Sequence, residues 1–121
     1  MARLSEHFDE KEFLCKCCGA GHGLIQPHLL LGLEMLRDLI KRPIILTCAY
    51  RCPKHNAEVG GVSNSYHVQG MAADIYVAGL TAYELAGQAA RVFVFFQGGI
   101  GIYPQRGFVH VDIGKKRRWM G

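Results

Sequence analysis

An α+β fold, with helices packed on a small, mainly antiparallel sheet, follows from three features of this 121-residue chain. Leu29, Leu33, Leu36 and Ile40 recur at spacings of four, three and four, which lines one face of a helix. The β-rich runs are short, and helical segments interrupt them. The last two runs flank Pro104-Gln105-Arg106-Gly107, whose turn chemistry makes them an antiparallel hairpin.

In chain order, Asp9-Glu10-Lys11-Glu12 has the pattern of a capping box that starts a short helix or turn. The CKCCGAGHG segment that follows reads as an irregular loop. Pro27 suits a helical first turn, and the helix it opens runs to about Arg42, where Pro43 stops it. Ile44 to Cys48 is a short strand. Pro53 opens a short helix to about Val59, ended by Gly60-Gly61. Ala72 to Val77 is mostly apolar and is expected to be a strand buried on both faces. Thr81-Ala82-Tyr83-Glu84 is a better capping box, heading a helix to about Phe95 or Phe96. The hairpin strands are Gly99 to Tyr103 and Phe108 to Ile113.

Nothing marks a linker or repeat, so residues 1–121 are expected to form a single domain, with a cysteine-containing segment over 1–25. Half the residues are apolar and glycine numbers 15, which suits a compact protein with many tight turns rather than a disordered or fibrous one. The formal charge is +4, and Lys115-Lys116-Arg117-Arg118 concentrates much of it near the C-terminus. That run is expected to be a solvated tail, with contact to an anionic polymer as the other reading. No apolar signal segment follows the first residues, and no run approaches the ~20 residues of a membrane span. The expectation is a monomer made in the cytoplasm, with no membrane insertion. A target outside the cytoplasm would then require release or delivery by other proteins, as for a phage-type protein.

Alternation along the last strand puts Phe108, His110 and Asp112 on one face and Val109, Val111 and Ile113 on the other. The aliphatic face suits a core. The other must meet solvent, a partner or a ligand. Asp74 sits within an apolar strand, where an ionised carboxylate is costly without a cation or hydrogen bonds. Imidazole and carboxylate are suitable zinc ligands, and His67, Asp74 and His110 could supply the three protein ligands of a catalytic site.

The stretch Ser65-Tyr66-His67-Val68-Gln69-Gly70-Met71-Ala72-Ala73-Asp74 resembles, at every fixed position, the S-x-H-x-x-G-x-A-x-D signature. That signature belongs to the zinc D-alanyl-D-alanine carboxypeptidase and L-alanyl-D-glutamate endopeptidase family, whose fold is shared with hedgehog signalling domains. Ala49-Tyr50-Arg51, with Pro53, His55-Asn56 and Gly60-Gly61, is similar to the family's arginine segment. Gly99 to Pro104 and Gly107 to Gly114 are similar to its C-terminal ligand hairpin. The resemblance covers residues 44–114. It implies a hedgehog/DD-peptidase-like fold and one catalytic Zn2+ held by His67, Asp74 and His110. The implied substrates are peptidoglycan stem peptides, cut by a carboxypeptidase or an endopeptidase. It also implies that Arg51 and Ser65 lie near the substrate. Arg51 would hold a carboxylate or steady the oxyanion, while Ser65 would contact substrate or simply turn the loop. Tyr103 is a candidate cleft residue or a packing aromatic. Gly70 would permit a φ-positive turn, and Ala72 would permit close packing beside the metal.

One position departs from the family. Many relatives carry a proton acceptor, His, Glu or Asp, two or three residues before the last histidine, where this chain has Phe108 and Gly107. Asp112, two residues after His110, is therefore the nearest candidate base, or else an acceptor that orients the His110 ring. Without a base the domain would bind cell wall or another protein without cutting it.

Cys15, Cys17, Cys18, Cys48 and Cys52 are an odd set for a disulfide framework. Cys15 and Cys18 have C-x-x-C spacing, and a structural zinc there would need completion by Cys48, Cys52 or His22. Reduced thiols and a disulfide are the other options. A nucleic-acid module is disfavoured, since finger spacing and interleaved aromatics are lacking. His7, His28 and His55 carry no assigned role.

Overall fold

The computed structural model describes residues 3–121. A 3-10 turn, Glu10–Phe13, precedes helix α1 (Pro27–Ile40), strand β1 (Ile45–Cys48), helix α2 (Pro53–Glu58) and strand β2 (Ala72–Tyr76). Helices α3 (Ala82–Ala89) and α4 (Phe93–Phe96) follow, then β3 (Gly99–Tyr103), β4 (Phe108–Asp112) and β5 (Arg117–Met120). One sheet, ordered β1-β2-β4-β3-β5, holds all five strands. Every pairing is antiparallel except β3 with β5. The α+β class and the mainly antiparallel sheet are therefore those expected from the sequence.

Local chemistry sets the element ends. Pro27 occupies the first turn of α1, where its missing N–H costs no hydrogen bond. The helix stops at Lys41, which adopts φ 61° and donates its N–H to the Arg37 carbonyl at 2.9 Å. At the head of α3 the capping box closes in both directions. Glu84 N–H donates to Thr81 Oγ1 at 3.1 Å, and Thr81 N–H donates to Glu84 Oε1 at 2.9 Å. Asp9 N–H likewise donates to Glu12 Oε2 at 2.7 Å. The hairpin turn closes through Gly107, at φ 76°, whose N–H donates to the Tyr103 carbonyl.

The core lies on one side of the sheet. Leu29, Leu33 and Leu36 of α1 share it with Ala73 and Ile75 of β2, Ile100 of β3, and Val109 and Val111 of β4. Full burial of such a side chain stabilises the fold by roughly 1.5–3 kcal/mol. Helix α1 crosses α4 at Gly32, where a Cβ would stand only 2.7 Å from Phe95 Cζ. The opposite sheet face is left for Asp74, His110 and Asp112.

Three expectations need correction. The helix foreseen from Thr81 to Phe95 or Phe96 is two helices, broken at Val92 in an extended conformation (φ −91°, ψ 119°). The break turns both Val92 and Phe95 into the core. Strand β2 is not buried throughout, because Tyr76 is exposed at its end. The basic run is exposed, as expected, but it is not a free tail. Arg117–Met120 pairs with β3 as the fifth strand, and Arg118 donates to the Gly98 and Phe96 carbonyls at 2.8 Å each.

Candidate metal centre

Sheet register assembles the site. Cys48 lies opposite Asp74, Asp74 opposite His110, His110 opposite Gly101, and Gly101 opposite Trp119. This single row crosses all five strands on the face away from the core. A bulge between Leu46 and Cys48 brings Cys48 into the row, while the Thr47 hydroxyl donates to the Asp74 carbonyl at 3.2 Å. His67 reaches the row from the loop before β2. That loop turns through Gly70 at φ 72°, where a Cβ would also run into the Leu24 backbone.

His67, Asp74 and His110 are brought together as the sequence predicts. His67 Nε2 lies 3.3 Å and His110 Nδ1 3.1 Å from the same oxygen, Asp74 Oδ1. Each ring is fixed by its other nitrogen. His67 Nδ1 is 2.7 Å from the Ala49 carbonyl, which can only accept, so Nδ1 carries the proton. His110 Nε2 is 2.8 Å from Asp112 Oδ2 and donates to it. In neutral rings the remaining lone pairs, on His67 Nε2 and His110 Nδ1, therefore both face a carboxylate oxygen. That is repulsive unless positive charge enters between them. Burial by itself would lower the pKa of both rings. The hydrogen bond and charge of Asp74, with Cys48, overcome this for His67 and raise it to about 9. Asp112 and Asp74 do the same, upward, for His110. Burial would raise the Asp74 carboxyl, but His110 and His67 hold it well below the usual carboxylate range. The ligand atoms of Cys48, His67 and Asp74 lie within 4.8 Å of one another, and His110 Nδ1 adjoins them at Asp74, so this donor set could hold a divalent cation, with hydrogen-bonded second nitrogens that orient the imidazoles.

Asp112 is fully buried at 0% exposure, behind the His110 ring and away from Asp74. Its Oδ1 accepts from Gly99 N–H and Gly114 N–H, both at 2.9 Å, and Arg117 lies 3.6 Å from Oδ2. Burial would raise its pKa; the His110 bond and charge, with the Gly114 and Gly99 amides, hold it low instead. No part of this carboxylate faces the open cleft.

Arg51 donates to Ser65 Oγ at 3.3 Å, and the same Oγ accepts from His67 N–H at 3.2 Å. Ser65 thus links the arginine to the ligand loop. Arg51 Nε is buried with no hydrogen-bond partner. Tyr103 stacks on Phe108, with ring centroids 4.5 Å apart, and its hydroxyl accepts from Trp119 Nε1 at 2.9 Å.

Two cavities of about 540 and 360 Å³ meet along the site, sharing Arg51, Val59, Asp74, Arg106 and Phe108. The first extends past Lys16, Cys48 and His55; the second passes His67, His110, Tyr103 and Trp119. Sequence reasoning missed Arg106, Lys16 and Trp119. The Trp119 indole lies 5.1 Å from the His110 ring, and Arg117 stacks over it at 4.6 Å. The signal was present in Gly99 and Gly101. Alternate glycines within a strand mark close approach on one face, and these leave room for Asp112 and the Trp119 indole.

Of the three residues proposed to complete the Cys15-Cys17-Cys18 group, only Cys52 joins it. Cys48 lies instead 3.7 Å from His67 Nδ1, and His22 pairs with Glu10 at 2.9 Å.

This geometry has relatives. Residues 6–112 match the family model for peptidase M15. The probable peptidoglycan L,D-endopeptidase MepK of Haemophilus influenzae is 36% identical over 83 residues, covering 64% of this chain and 43% of its own. The peptidoglycan L,D-endopeptidase MepK of Escherichia coli K12 is 32% identical over 102 residues, covering 78% of this chain and 54% of that one. The chain thus spans about half the length of these curated relatives. The matched span takes in the ligand loop, the arginine segment and the hairpin alike, and on that ground the chain belongs to the peptidase M15 family.

Proposed function

We propose that this protein is a zinc-dependent peptidase that hydrolyses peptide bonds in peptidoglycan stem peptides, of the endopeptidase type. The observation that carries the reading is that His67, Asp74 and His110 come together in a cleft of two adjoining cavities, Asp74 lining both and the two histidines lining the second. A peptide laid through them would pass Asp74 with chain on both sides, as internal cleavage requires. A carboxypeptidase site would need one end closed. The MepK relatives, named as L,D-endopeptidases, support the same choice.

Zinc held by the three side chains would supply a Lewis acid and a water acidified toward pKa ~7. The chain's own residues do the rest. Arg51 and Arg106, which line both cavities, give the cleft cationic donors for the carboxylates of stem peptides. Ser65 holds Arg51 in register with the ligand loop. Tyr103 and Trp119, bonded to each other, form an aromatic wall. Asp112 takes the orienting role rather than that of the base. It holds His110 Nε2–H and leaves Nδ1 free to ligate.

A second reading has its own observation. Among the described residues lining the two cavities, Asp74 is the only carboxylate and His55 the only imidazole besides the ligands. A cleft so poor in proton acceptors also suits a domain that binds cell wall without cutting it. Incubation with cross-linked muropeptides separates the readings. Separated stem peptides mark an endopeptidase, and release of a terminal D-amino acid marks a carboxypeptidase. Intact muropeptides at every zinc concentration and pH, with the protein retained on sacculi, would establish the binding domain instead. Action at the cell wall belongs to the same proposal, and among the described residues no helix is long and apolar enough to cross a membrane.

A further inference from the structure

Four of the five cysteines meet away from the His67-Asp74-His110 centre. The sulfurs of Cys15, Cys17, Cys18 and Cys52 all lie within 4.8 Å of one another. Cys15 and Cys17 are 3.4 Å apart, and Cys17 and Cys52 are 3.5 Å apart. Four thiolates around zinc at ~2.3 Å would have edges of roughly 3.8 Å, so the group already has nearly the size of a filled site. Backbone donors also point at the sulfurs. Cys52 N–H donates to Cys15 Sγ and His55 N–H to Cys52 Sγ, each at 3.3 Å. Hydrogen bonds of this kind favour the ionised thiolate that a metal needs.

The backbone between the ligands is shaped to present them together. Cys15 N–H donates to the Ala20 carbonyl and Gly19 N–H to the Cys15 carbonyl, both at 2.8 Å. Gly19, directly after Cys18, takes φ 72°. The chain therefore doubles back on itself and offers three thiols to one side. Cys52 comes from the other side, as the N-cap of α2, 34 positions beyond Cys18.

We infer that Cys15, Cys17, Cys18 and Cys52 form a second, structural zinc site with four thiolate ligands. It ties the N-terminal loop to the start of α2 and closes a long stretch of chain. Tyr50 N–H, donating to the Phe13 carbonyl at 3.0 Å, joins the same two stretches of chain nearby. Two cationic cleft residues lie between or beside its ligands. Lys16 stands between Cys15 and Cys17, and Arg51 precedes Cys52. The site therefore also holds one wall of the cleft, while its existence does not depend on what the cleft does.

The test is metal counting on the whole chain, purified with zinc under reducing conditions. The expected content is two zinc ions per chain, falling to one in Cys18→Ser and to one in His67→Ala. Cobalt(II) exchanged into the wild-type protein should give a strong thiolate-to-metal charge-transfer band, which reads the site even where a variant fails to fold. Its tetrahedral d–d bands should persist in His67→Ala. The four thiols should resist alkylation until a chelator is added. One zinc per chain with five freely alkylated thiols would overturn the inference. So would a disulfide among these cysteines in protein kept reduced, or the absence of the cobalt–thiolate band.

Discussion

Replacing Asp112 by Asn leaves the side-chain volume almost unchanged and alters only what its atoms can donate. Asp112 Oδ1 accepts from two backbone amides, Gly99 N–H and Gly114 N–H, at 2.9 Å each. The carboxamide oxygen of Asn must stay there, because an NH2 would face two donors. Its nitrogen is then directed at His110 Nε2, now 2.8 Å from Asp112 Oδ2. The ring answers by giving up the proton on Nε2 and holding one on Nδ1, the nitrogen that faces Asp74. A protonated Nδ1 cannot ligate. Loss of such a supporting partner lowers metal affinity ~10–100-fold, about 1.4–2.7 kcal/mol. The assay is zinc competition against a chromophoric chelator, run beside muropeptide cleavage at low and saturating zinc. Asp112→Asn should bind zinc ~10–100-fold more weakly, with much of its cleavage rate recovered at saturation. Unchanged zinc affinity with a large fall in kcat at saturation would refute the reasoning and make Asp112 the base.

Three further outcomes follow from the same geometry. Gly101→Ala puts a Cβ 2.7 Å from Trp119 Nε1, so the indole must leave its place beside His110. The cost should be about 1–3 kcal/mol, with a changed emission from the chain's single tryptophan. An unmoved spectrum would contradict the overlap. Arg51→Lys loses the planar fork and the Ser65 bond, so KM for stem peptides should rise on the order of 10-fold, with less change in kcat. Equal kinetics would remove Arg51 from substrate binding. Without zinc, the raised pKa of His67 gives stability that is complete below its ordinary value of 6.5 and lost as pH climbs through about 9. Zinc displaces that proton, so the Tm gain on adding zinc should grow from pH 6 to 9. A gain that shrinks over this range would show that His67 is not a ligand.

The fold class and the meeting of His67, Asp74 and His110 were legible because their signals are local. Leucines at helical spacing, the Thr81–Glu84 capping box and the alternation of Val109 and Val111 with His110 each act within one element. The motif around His67 and Asp74 is equally compact. Other features depend on neighbours that sequence distance conceals. The break at Val92 is decided by where Phe95 finds its place against Gly32, not by any residue that stops helices. Lys115 to Arg118 read as a charged tail because charge pattern does not report an unpaired strand edge waiting beside β3.

By itself the sequence determined which side chains could hold a metal, since ligand chemistry and strand alternation are properties of residue type and order. Only the tertiary structure decided what surrounds them. Sheet register set Trp119 against His110 across Gly101, and put Asp112 behind the ring with three hydrogen bonds holding its carboxylate. It also brought Cys52 to the Cys15 loop and left Cys48 beside His67. These are contacts between strands and loops far apart in the chain. They form only when burial of one shared core fixes the register of all the pieces at once.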